Sequence, residues 1–289
     1  MTATVAGRPL DLGEVETFGR QRELDILVPT ADRAAELAVT LAGLAAQDTG
    51  ARYGIVVSDQ SAGAASWSHP AAATMVRVLR RSGHTVLLRR HLPRRGLAEH
   101  RAFLLGHSRA DYVLFLDDDV WLEPPAVGTM LAAIKRLRCG FVGNFPHGLS
   151  YADDHRPQFH GFFQPWEGTP DPEDFGPSDP QWHRARVHDA ANLLHITEKL
   201  RVPPGEWRAY KVAWLGACVL YDRAKLTAAG GYDFWPQVPP EHAGEDIVAQ
   251  LRLLRRHGGA GLVPSRAYHL ESPTTVTDRR VECHEVVLR

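Results

Sequence analysis

Tyr112-Val113-Leu114-Phe115-Leu116-Asp117-Asp118-Asp119 decides the fold class, because an apolar run that reads as a buried strand ends directly in three carboxylates. Stacked negative charge at a strand exit is costly unless something positive neutralises it. The usual neutraliser is a hard divalent cation held by oxygen ligands and shared with a phosphate group. The triplet therefore points to nucleoside-diphosphate chemistry, with an acidic surface turn as the plain alternative.

Outward from this stretch, short apolar runs alternate with helical patterns. Leu24 to Pro29 reads as a strand, and residues 31–47 follow as a helix with Leu37, Leu41 and Leu44 at helical spacing. Tyr53 to Ser58 is a second buried strand ending at Asp59, and residues 70–82 form a helix opened by Pro70. Thr85 to Arg89 gives a third strand, residues 97–109 a third helix, and Pro124-Pro125 open a helix to about Arg138. Strands joined by crossover helices imply an α/β fold with a mostly parallel twisted sheet and helices on both faces. Ligands of such sheets sit beyond the carboxyl ends of the strands. Pro29-Thr30, Asp59 and Asp117 to Asp119 all fall at those ends.

The second half is less regular. From about Phe145 to Lys211 the chain is dense in Pro, His, Trp and acidic residues, with a helical stretch near 188–199. Regular patterning then returns: Trp214 to Tyr221 is strand-like, Arg223 to Ala229 a short helix, Asp246 to His257 an amphipathic helix, and Ala260 to Pro264 a strand. The expected organisation is an N-terminal extension (1–22) and one domain (23–289), with a nucleotide-sugar-binding half (23–140) and an acceptor-binding, catalytic half (141–289).

Composition narrows the class. Lys plus Arg number 33 against 34 Asp plus Glu, a net charge of −1, which leaves no case for general nucleic-acid binding. The three cysteines, Cys139, Cys218 and Cys283, form no C-x-x-C pair, so neither a disulfide framework nor a zinc knuckle follows. No signal peptide or membrane span is legible, and a cytoplasmic setting is expected, peripheral to a membrane if the acceptor is lipid-linked. His155/His160 and His183/His188 are pairs five apart, which do not share a helical face, so a zinc site is not read there.

The loop after the first strand, Pro29-Thr30-Ala31-Asp32-Arg33, has no glycine. Both the dinucleotide fingerprint and the P-loop need glycines so that backbone amides can approach phosphate. A diphosphate bound here must be neutralised by a cation and side chains.

Val28-Pro29-Thr30 with Arg33 and Leu37, the strand ending in Asp59-x-Ser61, and Gly96-Leu97-Ala98-Glu99-His100-Arg101 together resemble the family 2 glycosyltransferases of the GT-A fold. So do Asp117-Asp118-Asp119 as an Asp-x-Asp signature, Gly216 to Arg223 with Gly230-Gly231-Tyr232-Asp233 as an acceptor-side block, and Gly244-Glu245-Asp246 as a Glu-Asp motif. The order covers about residues 22–270; Ala102, where the family often has Asn, and the stretch 145–211 depart from it.

The resemblance implies a GT-A, Rossmann-like fold and a metal-dependent, inverting transfer of a sugar from a nucleotide sugar to an acceptor hydroxyl. It implies that Asp59 reads the base, commonly uracil, that Pro29 and Thr30 line the same pocket, and that Arg33, Arg101, Asp118 and Gly216 belong to the donor site. Asp117 would contact the ribose or metal, and Asp119 and His269 would complete a site for Mn2+ or Mg2+. Asp246 is the expected general base, with Glu245 orienting or binding the acceptor, though acidic residues are also favoured in any first helical turn. Trp166, Trp182 and Trp214 are candidates for an aromatic acceptor surface, as aromatic rings pack on sugar C–H faces and also fill cores.

Two alternatives stay open. A sugar-nucleotide pyrophosphorylase also uses metal-binding aspartates, but normally with a glycine-rich loop after its first strand. A catalytically inactive sugar-nucleotide-binding protein could keep the fold, although Asp117, Asp119 and Asp246 are all present.

Overall fold

The computed structural model describes residues 22–276 and 279–288. The expected extension 1–22 therefore lies, except for Arg22, outside the described residues.

The chain opens with three strand–helix units: β1 (Leu24–Thr30) and α1 (Ala34–Ala45), β2 (Gly54–Asp59) and α2 (Pro70–Arg81), β3 (Thr85–Arg90) and α3 (Leu97–Gly106). β4 (Tyr112–Leu116), β5 (Val120–Leu122), α4 (Ala126–Leu137) and β6 (Phe141–Gly143) follow. After a stretch of 3-10 turns come α5 (Asn192–Leu200), β7 (Arg208–Tyr210), β8 (Cys218–Asp222), α6 (Arg223–Ala228) and α7 (Glu245–His257). β9 (Gly259–Val263), β10 (Ala267–His269) and α8 (Cys283–Val287) complete the chain.

Eight strands form one sheet in the order β3-β2-β1-β4-β8-β6-β9-β7. β1, β2, β3 and β4 run parallel, β8 is antiparallel to β4 and β6, β6 is parallel to β9, and β7 closes the edge antiparallel to β9. The mostly parallel sheet expected from the strand–helix alternation is what forms.

Strand periodicity builds two cores. Ile26, Val28, Ile55, Val57, Leu114 and Leu116 face one side with α1, α2 and α4, through Leu37, Leu41, Val76, Met130 and Ile134. Leu27, Val56, Val113 and Phe115 face the other with α3, α5, α6 and α7, through Leu104, Ile196, Leu226 and Val248. Because both faces are covered, every residue of β1 is buried, and each large aliphatic chain so removed from water contributes about 1.5–3 kcal/mol. This explains why the central strands read as largely apolar runs, with buried Asp25 the exception in β1.

Four differences from the expected elements matter for the site. The strand read from Trp214 starts only at Cys218, because Ala217 takes a left-handed φ of 68° and breaks the extended chain. Trp214 and Gly216 are thereby freed from the sheet. β5, β6, β7 and β10 are three residues each, too short to show periodicity in the sequence. β5 and β10 pair antiparallel, His269 opposite Val120, so His269 ends a strand rather than following one. Finally, the helix expected at 188–199 starts at Asn192, preceded by a 3-10 turn over Pro180–His188 that carries Trp182.

Candidate active site

The parallel alignment of β1, β2 and β4 sends their polar exits to one rim. Thr30 and Asp59 are register partners, and the amide of Asp117 donates to the carbonyl of Ala217 at 2.9 Å, anchoring the acidic triplet beside β8. Apart from Asp59, these exits border a cleft of about 870 Å³, lined among others by Pro29, Thr30, Arg33, Arg101, Asp117 to Asp119, Gly216, Glu245, Asp246 and His269. Its volume lies within the ~300–1,000 Å³ common for small-molecule sites.

The three aspartates have different surroundings. Asp118 accepts the Thr30 hydroxyl at 2.6 Å and Arg33 Nη1 at 3.2 Å, while its carbonyl accepts the Thr40 hydroxyl at 2.7 Å. It is a tether between β1, α1 and the loop. Burial pushes its carboxyl up to about 7, against the lowering effect of Thr30 and Arg33. Asp119 accepts Arg33 Nη1 at 2.5 Å and stands 3.6 Å from His269 Nε2. The Leu270 amide donates to the Asp119 carbonyl at 2.8 Å, which fixes β10 against the triplet. Asp117 accepts Arg101 Nη2 at 3.1 Å, and burial raises its pKa while Arg101 opposes the shift.

Asp119 and His269 fit as the start of a divalent-cation site. Two donors each about 2.1 Å from one ion and at right angles stand about 3 Å apart, close to the 3.6 Å between Asp119 Oδ2 and His269 Nε2. Asp117 does not join them in this arrangement, since its carboxylate is held by Arg101. Among the described residues no three His, Cys, Asp or Glu side chains are gathered around a common point that could hold a metal ion. Arg33 lies over Asp118 and Asp119 and also donates to the Pro273 carbonyl, so a guanidinium already balances part of the acidic charge.

Across the cleft, α7 begins at Gly244, whose φ of 74° turns the chain sharply into the helix; a Cβ there would stand 2.8 Å from Glu282 Oε2. Glu245 is buried and accepts Arg101 Nε at 2.8 Å. Arg101, 4% exposed and stacked 5.4 Å from the Phe115 ring centre, thus joins the donor-side Asp117 to the helix head. The resemblance places it in the donor site. Its Nε and Nη2 are engaged by carboxylates.

Asp246 faces Gly216, where a Cβ would lie 3.7 Å from Asp246 Oδ2, so the missing side chain leaves room for a ligand beside the carboxylate. Burial and the neighbouring Glu245 push Asp246 up to about 7, with Arg101 pulling the other way. Trp182 and Trp214 line the same end of the cleft, their ring centres 4.6 Å apart and inclined at 44°, with His284 5.2 Å from Trp182.

Two expected site residues are elsewhere. Asp59 is fully buried: its Oδ1 accepts the Ser61 amide at 2.6 Å and Arg90 at 3.0 Å, and its Oδ2 accepts the Ser66 amide at 2.6 Å. It organises the loop after β2 and is absent from the cleft lining. Trp166 packs at the far sheet edge, its Nε1 donating to the Gly259 carbonyl at 3.1 Å and its ring under Lys211 at 4.2 Å. Conversely Gln60, Arg94, Glu282 and His284 line the cleft without having been singled out. Gln60 had a signal, as the polar residue next to Asp59; Glu282 and His284 had none, because only tertiary folding brings the C-terminal segment to the rim.

No helix among the described residues is long and apolar enough to cross a membrane. Residues 25–212 match the sequence profile of Glycosyl transferase family 2. No curated protein matches the chain. Among solved structures, S. aureus TarS 1–349 in complex with UDP-GlcNAc is similar at a TM-score of 0.57 and 15% identity, over 88% of this chain and 60% of that one. A mannosyltransferase, PcManGT from Pyrobaculum calidifontis in complex with GDP-Man and Mn2+, is similar at 0.53 and 15% identity, over 89% of this chain and 59% of that one. The chain spans about 60% of the length of these neighbours, and at such identity they share its fold.

Proposed function

The chain belongs to glycosyl transferase family 2, and from this we propose that its cleft transfers a sugar from a nucleoside-diphosphate sugar, UDP-linked, to an acceptor hydroxyl with inversion at the anomeric carbon. One observation carries the reading: the acidic triplet after β4 and the carboxylate pair heading α7 open on the same cleft and share one guanidinium, Arg101.

Asp246 is the proposed general base. As the acceptor oxygen attacks, its proton passes to an Asp246 carboxylate oxygen while the diphosphate leaves from the opposite face. A carboxyl pushed up to about 7 suits proton abstraction near neutral pH, a contribution of roughly 10²–10⁴-fold. Glu245, held by Arg101, keeps the helix head and hence Asp246 in place. Asp119 and His269 would hold a divalent cation, Mn2+ or Mg2+, which when bound offsets the charge of the departing diphosphate. Trp182 and Trp214 offer apolar ring surface to an acceptor beside the base.

The test is release of nucleoside diphosphate from a panel of nucleotide sugars, with binding followed by thermal shift with and without Mn2+. A donor at about 100 times its dissociation constant adds ~2.7 kcal/mol of stability. Asp119→Ala should abolish ion-dependent donor binding, and Asp246→Asn should keep binding but lose turnover. Wild-type turnover in Asp246→Asn would refute the base assignment.

A further inference from the structure

We infer that Gln250 is a positioning residue for the transfer: its side-chain amide clamps residues 214–217 of the acceptor side to α7, one helical turn behind Asp246, and so sets the base against the donor half of the cleft. The inference rests on the reading of Asp246 as base and names a residue that acts through it.

Residues 214–217 need holding because they belong to no strand. The left-handed Ala217 stops β8 at Cys218. Trp214 and Gly216 line the cleft, while Leu215 between them is fully buried, and a Cβ on Gly143 would stand 2.8 Å from its Cδ1. Burial leaves the Leu215 backbone with a donor and an acceptor to satisfy.

Gln250 satisfies both. Its Oε1 accepts the Leu215 amide N–H at 2.8 Å and its Nε2 donates to the Leu215 carbonyl at 2.7 Å, the two-bond exchange by which strand residues pair. The second hydrogen of Nε2 goes to the Tyr221 hydroxyl of β8 at 3.2 Å. Turning the amide over would set NH2 against N–H and oxygen against carbonyl, so only one orientation fits. Gln250 is fully buried, and among the described residues no other group of α7 hydrogen-bonds to residues 214–217.

Residues four apart share one face of a helix. Asp246 therefore stands one turn ahead of the clamp, and a Cβ at Gly216 would lie 3.7 Å from its Oδ2. At the other end the Ala217 carbonyl accepts the Asp117 amide at 2.9 Å. A continuous chain of contacts thus runs from the base helix through Gln250, Leu215 and Ala217 to the exit of β4. Arg101 joins the same two elements by ion pairs at the helix head. Gln250 supplies an uncharged second tie, and two ties fix an orientation that one leaves free to pivot. In-line attack needs that orientation, because the oxygen losing its proton to Asp246 must face the carbon from which the diphosphate departs.

The experiment compares wild type with Gln250→Met and Gln250→Glu. It follows UDP release from a panel of UDP-sugars and counts intact sites by calorimetric titration of UDP in Mn2+. Gln250→Met has similar volume but leaves the Leu215 backbone without partners. It should keep the wild-type UDP stoichiometry and a donor KM within about twofold, while kcat per binding site falls about 10- to 100-fold. Hydrogen exchange should quicken at the Leu215 amide and stay slow in β8, which separates local release from loss of the fold. Gln250→Glu tests the two bonds themselves. A buried carboxyl favours the neutral acid, whose O–H donates to the Leu215 carbonyl while its C=O accepts the amide. At pH 6 this variant should turn over within about threefold of wild type, and its rate relative to wild type should fall as pH rises and the acid ionises. A Gln250→Met kcat per site within about twofold of wild type overturns the positioning role. So does a loss of turnover matched by lost UDP stoichiometry, or a Gln250→Glu enzyme no faster than Gln250→Met at pH 6. Absence of UDP release by wild type overturns the transfer reading itself, and the inference with it.

Discussion

Arg101→Met tests whether one buried guanidinium holds the two halves of the cleft together. The arginine side chain is 5% exposed, as is that of Glu245, whereas Asp117 is 32% exposed. Met keeps most of the apolar stem but leaves Glu245 as a buried carboxylate whose cation, 2.8 Å away, is gone. Breaking a buried pair by removing one partner costs about 3–5 kcal/mol. Asp117 can take water, so most of this penalty falls on Glu245. For a chain of this size each kcal/mol moves the melting temperature by about 2–4 °C, giving a fall of roughly 6–20 °C. Neutralising the stranded group should recover part of it: Arg101→Met/Glu245→Gln should be about 1–3 kcal/mol more stable than additivity of the single variants predicts. Urea unfolding of wild type, both single variants and the double variant closes the cycle. A loss below about 1 kcal/mol in Arg101→Met, or no recovery in the double variant, would refute the bridging role.

Other outcomes follow from the same geometry. Arg33 must leave Asp119 when a cation binds there, so Arg33→Gln should bind Mn2+ about three- to tenfold tighter by calorimetry; unchanged or weaker binding contradicts this competition. Asp246, pushed up from 3.8 to about 7, should give kcat/KM an acid limb that falls below about pH 7. The sign for stability follows: the fold favours the neutral acid, so the linked stability is complete below about pH 4 and lost as pH rises through 7. Asp246→Asn should therefore gain stability over wild type from pH 5 to 8, and a constant difference across that range rejects the shift. Gly96 has φ 93°, and a Cβ there would sit 2.4 Å from His242 Cε1 and 2.6 Å from the Pro240 carbonyl oxygen. Gly96→Ala should cost about 2–4 kcal/mol in urea unfolding, and a cost below 1 kcal/mol would mean that the rim yields easily.

Local pattern alone told much of the architecture. β1, β2 and β4 are buried on both faces, so apart from Asp25 their interior residues are apolar, and the polar residues ending them marked the rim. Helix spans came within a few residues because α1, α2 and α7 each bury a stripe of side chains at helical spacing, which composition records directly. The candidate residues were also legible by type: the acidic triplet at a strand exit, and Glu245-Asp246 at a helix start.

Only the folded chain decided where those groups point. Hydrogen bonding turned Asp59 into a loop anchor, whereas Gln60, its neighbour in sequence, lines the cleft. Trp166 and Trp182 looked alike as residues of one irregular segment, yet one lies at the far edge of the sheet and the other lines the cleft against Trp214. The left-handed Ala217 is an alanine like any other in sequence. Arg33 and Arg101 found carboxylates more than 80 residues away in one case and 144 in the other. The physical reason is range: burial and helical or strand period are written in adjacent residues, whereas the partner of a charge or an amide is set by long-range packing that no local window contains.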